Sequence, residues 1–127
     1  LNRHDCSTCF HFDIDVDGNT AALTDGLLVL RHLFGFAGTT LTDDALASSA
    51  TRSDGDTIAS YLNANLGDLD VDGDGSAEAL TDGLLLLRYL FGFDGPTLIE
   101  GAVGENAVRT SATDIKAYIE ARISEGT

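Results

Sequence analysis

Between Asp70 and Asp82 the chain reads DVDGDGSAEALTD, with aspartates at 70, 72, 74 and 82 and a glycine at 75. Carboxylates this close repel one another unless a cation sits among them. Hard oxygen donors at alternating positions, a glycine for a sharp turn and a later carboxylate form the donor set of a wrapped Ca²⁺ loop. The stretch DIDVDGNTAALTD, from Asp13 to Asp25, repeats the pattern. In such loops positions 1, 3 and 5 lend side-chain oxygens, position 7 a backbone carbonyl, and a final acid closes the site. The expected ligands are therefore Asp13, Asp15, Asp17, the carbonyl of Asn19 and Asp25 in the first loop. In the second they are Asp70, Asp72, Asp74, the carbonyl of Ser76 and Asp82. Position 9 is Ala21 in the first loop, where water is expected to fill the place, and Glu78 in the second, which acts directly or through water. Two Ca²⁺ ions are expected. A solvated acidic turn is the bland alternative, and Mg²⁺ the weaker metal because it demands stricter geometry.

The elements that must position these loops are set by a duplication. Residues 10–66 align with 67–123 at a constant offset of 57, without a gap. LTDGLLVLRHLFGF (23–36) reappears as LTDGLLLLRYLFGF (80–93), and Arg52, Ile58 and Tyr61 match Arg109, Ile115 and Tyr118. A unit that cannot bury its apolar face alone must pack on its neighbour, here with approximate two-fold symmetry. Each loop feeds a helix that ends at Phe34 or Phe91, with Thr24 or Thr81 placed to cap it. Leu27, Leu30, Leu33 and Phe34 recur at helical spacing, and Leu28 and Val29 widen the apolar face. Gly35 and Gly92 suit a C-terminal cap, with Phe36 and Phe93 for the hydrophobic contact that accompanies it. Residues 37–53 read as loop with one turn. A second helix is predicted near 54–66 and 111–123, with Ser111 and Asp114 placed as a capping box. Helix 54–66, loop 70–82 and helix 81–91 then resemble one helix–loop–helix unit, and helix 111–123 should pack beside the first unit. The expected fold is a small all-α domain of two EF-hand-like calcium loop–helix units, each with an additional helix.

The 127 residues support one modest domain: an N-terminal Cys/His segment (1–9), repeat 1 (10–66), repeat 2 (67–123) and a tail (124–127). A net charge of -14 argues against nucleic acid and anionic membranes as partners. No apolar run approaches the length needed to span a bilayer. The chain starts at Leu1 without a visible signal peptide, and we read it as a module of a larger protein. Cys6 and Cys9, with His4 and His11 close by, allow a local disulfide, two free thiols or a zinc site. A disulfide is favoured in an oxidising compartment. Arg31 and Arg88, on otherwise apolar helices, serve either a partner contact or a structural role.

The two loops, running straight into LLLLRYL (84–90) and its counterpart LLVLRHL (27–33), resemble type I dockerins. These are calcium-binding modules appended to secreted polysaccharide-degrading enzymes. The similarity covers both loops and both following helices. Here the closing aspartate stands at position 13 of the loop rather than 12, and the loops lie about twice as far apart in sequence as is usual. Loop positions 10 and 11 are Ala22-Leu23 and Ala79-Leu80 rather than polar. The resemblance implies a non-catalytic module of a secreted or cell-surface bacterial protein. Its partner would be a cohesin-like protein or a neighbouring domain of the same chain, and its role attachment or assembly. The alternative is a purely structural calcium-stabilised domain that supports its neighbour. An exposed apolar patch repeated in both units would favour attachment. No enzyme is expected: the clustered acids are accounted for by metal, and no Ser/His/Asp or Cys/His set stands out.

Overall fold

The computed structural model describes residues 10–123, which form an all-α domain with no strand among them. The first unit carries α1 (Leu27–Leu33), α2 (Gly38–Thr42) and α3 (Gly55–Ala64). A single turn, α4 (Leu66–Leu69), leads into the second loop. The second unit repeats the order with α5 (Leu84–Leu90), α6 (Pro96–Ile99) and α7 (Ala112–Glu120).

The core follows the duplication residue by residue. Phe12, Ile14, Leu28, Val29, Leu41, Ala45, Ile58 and Leu62 are buried in the first unit. Their counterparts 57 residues on, Leu69, Val71, Leu85, Leu86, Leu98, Ala102, Ile115 and Ile119, are buried in the second. The two α1-type helices run antiparallel past each other, because the start of each meets the second half of the other. A Cβ on Gly26 would lie 3.0 Å from Leu87 Cδ1, and one on Gly83 would lie 2.9 Å from Leu30 Cδ1. Glycine thus lets each helix start approach the opposite leucine, as an approximate two-fold requires.

Burial differs from the sequence expectation along α1 and α5. Leu28 and Val29 lie deepest, Leu27, Leu30 and Leu33 are half-buried, and Phe34 is exposed. One face of the helix fills its own unit's core while Leu30 turns to the other unit. The expected helix ends do form. Phe36 N donates to Arg31 O and Gly35 N to His32 O, both at 2.9 Å, and Gly35 takes φ +96°. Phe93 and Gly92 repeat the pattern on Arg88 and Tyr89. These are Schellman closures, which glycine completes without steric cost. Ser111 Oγ accepts from Asp114 N at 3.1 Å at the start of α7, and Asp54 caps α3 in the same way through Thr57 N.

Two expectations are corrected, and the role of the helix arginines is decided. The helix after each loop begins before the threonine, at Ala22 and Ala79, and begins as a π turn (Ala22–Gly26 and Ala79–Gly83). Thr24 and Thr81 therefore do not cap it. The second helix stays with its own unit: α3 packs chiefly on α1 and α2, and α7 on α5 and α6. Just beyond the end of α7, the Arg122 carbonyl reaches the first unit and accepts from Phe12 N at 2.8 Å. Arg31 and Arg88 are used internally. Arg31 Nη1 donates to the carbonyls of Leu41 (3.0 Å) and Asp43 (2.7 Å), and Arg88 Nη1 to those of Leu98 (3.2 Å) and Glu100 (2.7 Å). Each arginine satisfies the orphan carbonyls at the end of its unit's short second helix.

Candidate metal centres

Each unit gathers four carboxylates at one point. Ligand atoms of Asp13, Asp15, Asp17 and Asp25 lie within 4.8 Å of one another, as do those of Asp70, Asp72, Asp74 and Asp82. The opening aspartate wraps its own loop. Asp13 accepts from Asp17 N (3.2 Å) and Gly18 N (2.9 Å), and Asp70 from Gly73 N (3.1 Å), Asp74 N (3.2 Å) and Gly75 N (2.9 Å). The closing aspartate ties the start of the loop to its end. Asp25 accepts from Ile14 N (2.5 Å) and Ala21 N (2.8 Å), and Asp82 from Asp72 N (3.1 Å) and Glu78 N (2.8 Å). The Thr24 and Thr81 hydroxyls donate to these same carboxylates at 3.2 and 3.1 Å.

The π turn explains how a position-13 aspartate reaches the site. Gly26 N donates to Ala21 O and Gly83 N to Glu78 O, both at 3.1 Å and both spanning five residues. The wider turn absorbs the extra residue before the α-helix proper begins.

A second structural bracket holds the middle of each loop, and the local sequence pattern gives no sign of it. The Asp15 carbonyl accepts from Thr51 N and Arg52 N, and the Asp72 carbonyl from Val108 N and Arg109 N. Arg52 Nη1 donates to Ile14 O at 2.9 Å. Arg109 donates to Val71 O at 2.7 Å and to Asp70 O at 2.9 Å. Each guanidinium also lies over a tyrosine ring, Arg52 3.7 Å from the centre of Tyr61 and Arg109 3.9 Å from that of Tyr118. The one signal in the sequence is that Arg52 and Arg109 align between the repeats.

The bracket also positions the middle ligand. Asp15 Oδ2 accepts from Ala47 N at 2.9 Å, and Asp72 Oδ2 from Gly104 N at 2.6 Å. Both aspartates are 0% exposed, and the remaining oxygen of each, Oδ1, is buried without a hydrogen-bond partner among the described residues. A buried carboxylate oxygen with no donor is costly unless a cation satisfies it. At an effective dielectric of about 20, two carboxylate charges 4.8 Å apart repel by roughly 3–4 kcal/mol. In the metal-free protein Asp13, Asp25 and Asp82 respond by keeping their protons to unusually high pH. Burial first, and the neighbouring carboxylates after it, push Asp25 and Asp82 up to about 7. Burial pushes Asp13 up to about 6. The donor set thus fits a cation held by oxygen ligands.

The other predicted residues are placed as follows. Asn19 and Ser76 are exposed, and their amides donate to Asp17 and Asp74 Oδ1 at 3.0 Å. Glu78 is exposed and its carboxylate lies outside the cluster; its amide is what reaches Asp82. Cys6, Cys9 and His4 lie outside the described residues. His32 and its counterpart Tyr89 join helices: His32 Nε2 pairs with Asn63 Oδ1 at 3.1 Å, and Tyr89 Oη donates to Glu120 Oε2 at 2.8 Å. Comparison with known proteins finds no matching family model, no matching curated protein and no matching solved structure.

Proposed function

We propose that the protein is a calcium-binding, dockerin-like, non-catalytic module of a larger secreted or cell-surface bacterial protein, and that it serves attachment or assembly. The observation that carries the calcium reading is the pair of aspartate quartets, buried or half-buried, each with a buried Asp15 or Asp72 oxygen that has no hydrogen-bond partner among the described residues. Ca²⁺ takes oxygen ligands at about 2.3–2.6 Å, so donors on opposite sides of one ion stand up to about 5.2 Å apart. The spread of each quartet fits that span. Four carboxylates, with no nitrogen or sulfur donor beside them among the described residues, suit a hard cation.

Attachment is favoured over a purely structural role by the surface. Leu23, Phe34 and Phe36 are 60%, 53% and 46% exposed, and Leu80, Phe91 and Phe93 are 63%, 54% and 46% exposed. Large apolar side chains left in water at the same three positions of both units are what a partner-binding surface needs. Arg31 and Arg88, held on backbone carbonyls, are not free to serve that surface.

Isothermal titration of chelator-stripped protein with CaCl₂ tests the reading. The expected stoichiometry is two ions per chain, with loss of one site in Asp72→Asn. A stoichiometry of zero, or of one, would refute it.

A further inference from the structure

The two quartets superpose in pattern but not at loop position 4. That position has a positive φ in both units, +54° at Val16 and +72° at Gly73. The left-handed turn lies between two ligands, Asp15 and Asp17 or Asp72 and Asp74, and brings them to one side. Glycine adopts it without cost. A β-branched residue does not, and Val16 there is a true outlier. Its side chain is 39% exposed, so packing does little to impose the conformation.

Hydrogen bonds impose it instead. The Val16 carbonyl accepts from the Thr51 hydroxyl at 2.8 Å and from Thr51 N at 3.3 Å. Thr51 aligns with Val108, which has no hydroxyl to offer. The exchange is reciprocal: a Cβ on Gly73 would lie 2.4 Å from Val108 Cγ2. Each unit thus carries its own pair, strained valine with a bracing threonine in the first, glycine against a valine in the second. A further difference acts in the same direction. Glu78 adds a negative charge beside the second site, where the first has Ala21.

Resting on the metal-binding reading above, we infer that the two sites are inequivalent: the Asp70–Asp82 site fills first, the Asp13–Asp25 site is about tenfold weaker, and Val16 and Thr51 set the difference. Without an ion the first loop can relax at Val16 and let Asp15 and Asp17 separate. Binding must restore the strained turn, and the cost appears as lost affinity. The second loop meets no such cost. The module therefore takes up calcium in two steps, with the second step set by residues that do not touch the ion.

Two amides report the sites separately. Gly18 N donates to Asp13 Oδ2 and Gly75 N to Asp70 Oδ2, each at 2.9 Å. In a ¹⁵N NMR titration of the stripped full chain with CaCl₂, the Gly75 resonance should reach its midpoint at about tenfold lower free Ca²⁺ than Gly18. Val16→Gly should move the Gly18 midpoint about tenfold lower and leave Gly75 in place. Thr51→Val, which keeps the side-chain shape, should move Gly18 about fivefold higher, again without Gly75. Equal midpoints, Gly18 filling first, or a Val16→Gly effect shared by both resonances would overturn the inference while leaving the metal reading intact. No movement of either resonance at millimolar Ca²⁺ would overturn both.

Discussion

Stripping the metal should invert the pH dependence of stability. Unfolded, Asp25 and Asp82 ionise near the ordinary 3.8; folded and metal-free, they ionise only at about 7. Below pH 3.8 each group is neutral in both states and contributes nothing. As pH rises from there the unfolded chain gains ionisation that the fold resists, so stability falls until about pH 7 and stays low above it. A tenfold difference in proton affinity between the two states is worth about 1.4 kcal/mol, so the interval from about pH 5 to about pH 8 removes roughly 2–3 kcal/mol per site. Two sites give about 5 kcal/mol, a large share of the roughly 5–15 kcal/mol of a typical domain and more than about 10 °C in Tm. Circular-dichroism melts of resin-stripped protein should therefore show a higher Tm at about pH 5 than at about pH 8. In millimolar Ca²⁺ the order should reverse, because the bound ion holds the carboxylates ionised and protons compete with it at low pH. General repulsion from the net charge of -14 also grows with pH, so a control is needed. Asp82→Asn is neutral at every pH and should remove about half of the slope of the stripped protein. A stripped protein whose stability is flat or rising over that pH interval, or an unchanged slope in Asp82→Asn, would refute the reasoning.

Other perturbations separate the bracket, the core and the surface. Arg109→Ala should cost about 2–4 kcal/mol in urea denaturation, because it removes two hydrogen bonds to loop carbonyls and the contact with Tyr118. Arg109→Lys should recover less than half of that loss, since an ammonium cannot reproduce the planar fork. Leu85→Ala, at a fully buried position, should cost about 2–5 kcal/mol in the same assay. Phe91→Ala, at a residue 54% exposed, should cost under about 1 kcal/mol and leave both calcium steps of an isothermal titration unchanged.

Much of this protein could be read before any coordinates. The alternating aspartates and the glycine at the sixth loop position are local chemistry, and local spacing is what a metal loop requires. The duplication made the core legible too: Leu28, Ile58 and Leu62 repeat as Leu85, Ile115 and Ile119, and a side chain with the same neighbours is buried in both copies. Helix ends at Gly35 and Gly92 depend only on residues a turn away, so they were also readable.

Tertiary structure decided everything that joins distant segments. Arg52 reaches the Ile14 carbonyl across 38 residues, and Ala47 reaches Asp15 across 32, so no local pattern announces the bracket. The π turn exists because the closing aspartate must return to amides at the loop's start, a demand that helix propensity does not express. Propensity likewise puts Phe34 on the apolar face with Leu27 and Leu30. The antiparallel contact at Gly26 and Gly83 decides instead which face meets the other unit, and Phe34 is left in water. Valine is a poor choice for a left-handed turn on local grounds. Only the hydroxyl of Thr51, 35 residues away, shows what holds Val16 there. Short-range periodicity and ligand spacing are written into neighbouring residues; which surfaces and carbonyls meet is settled by packing the two copies together.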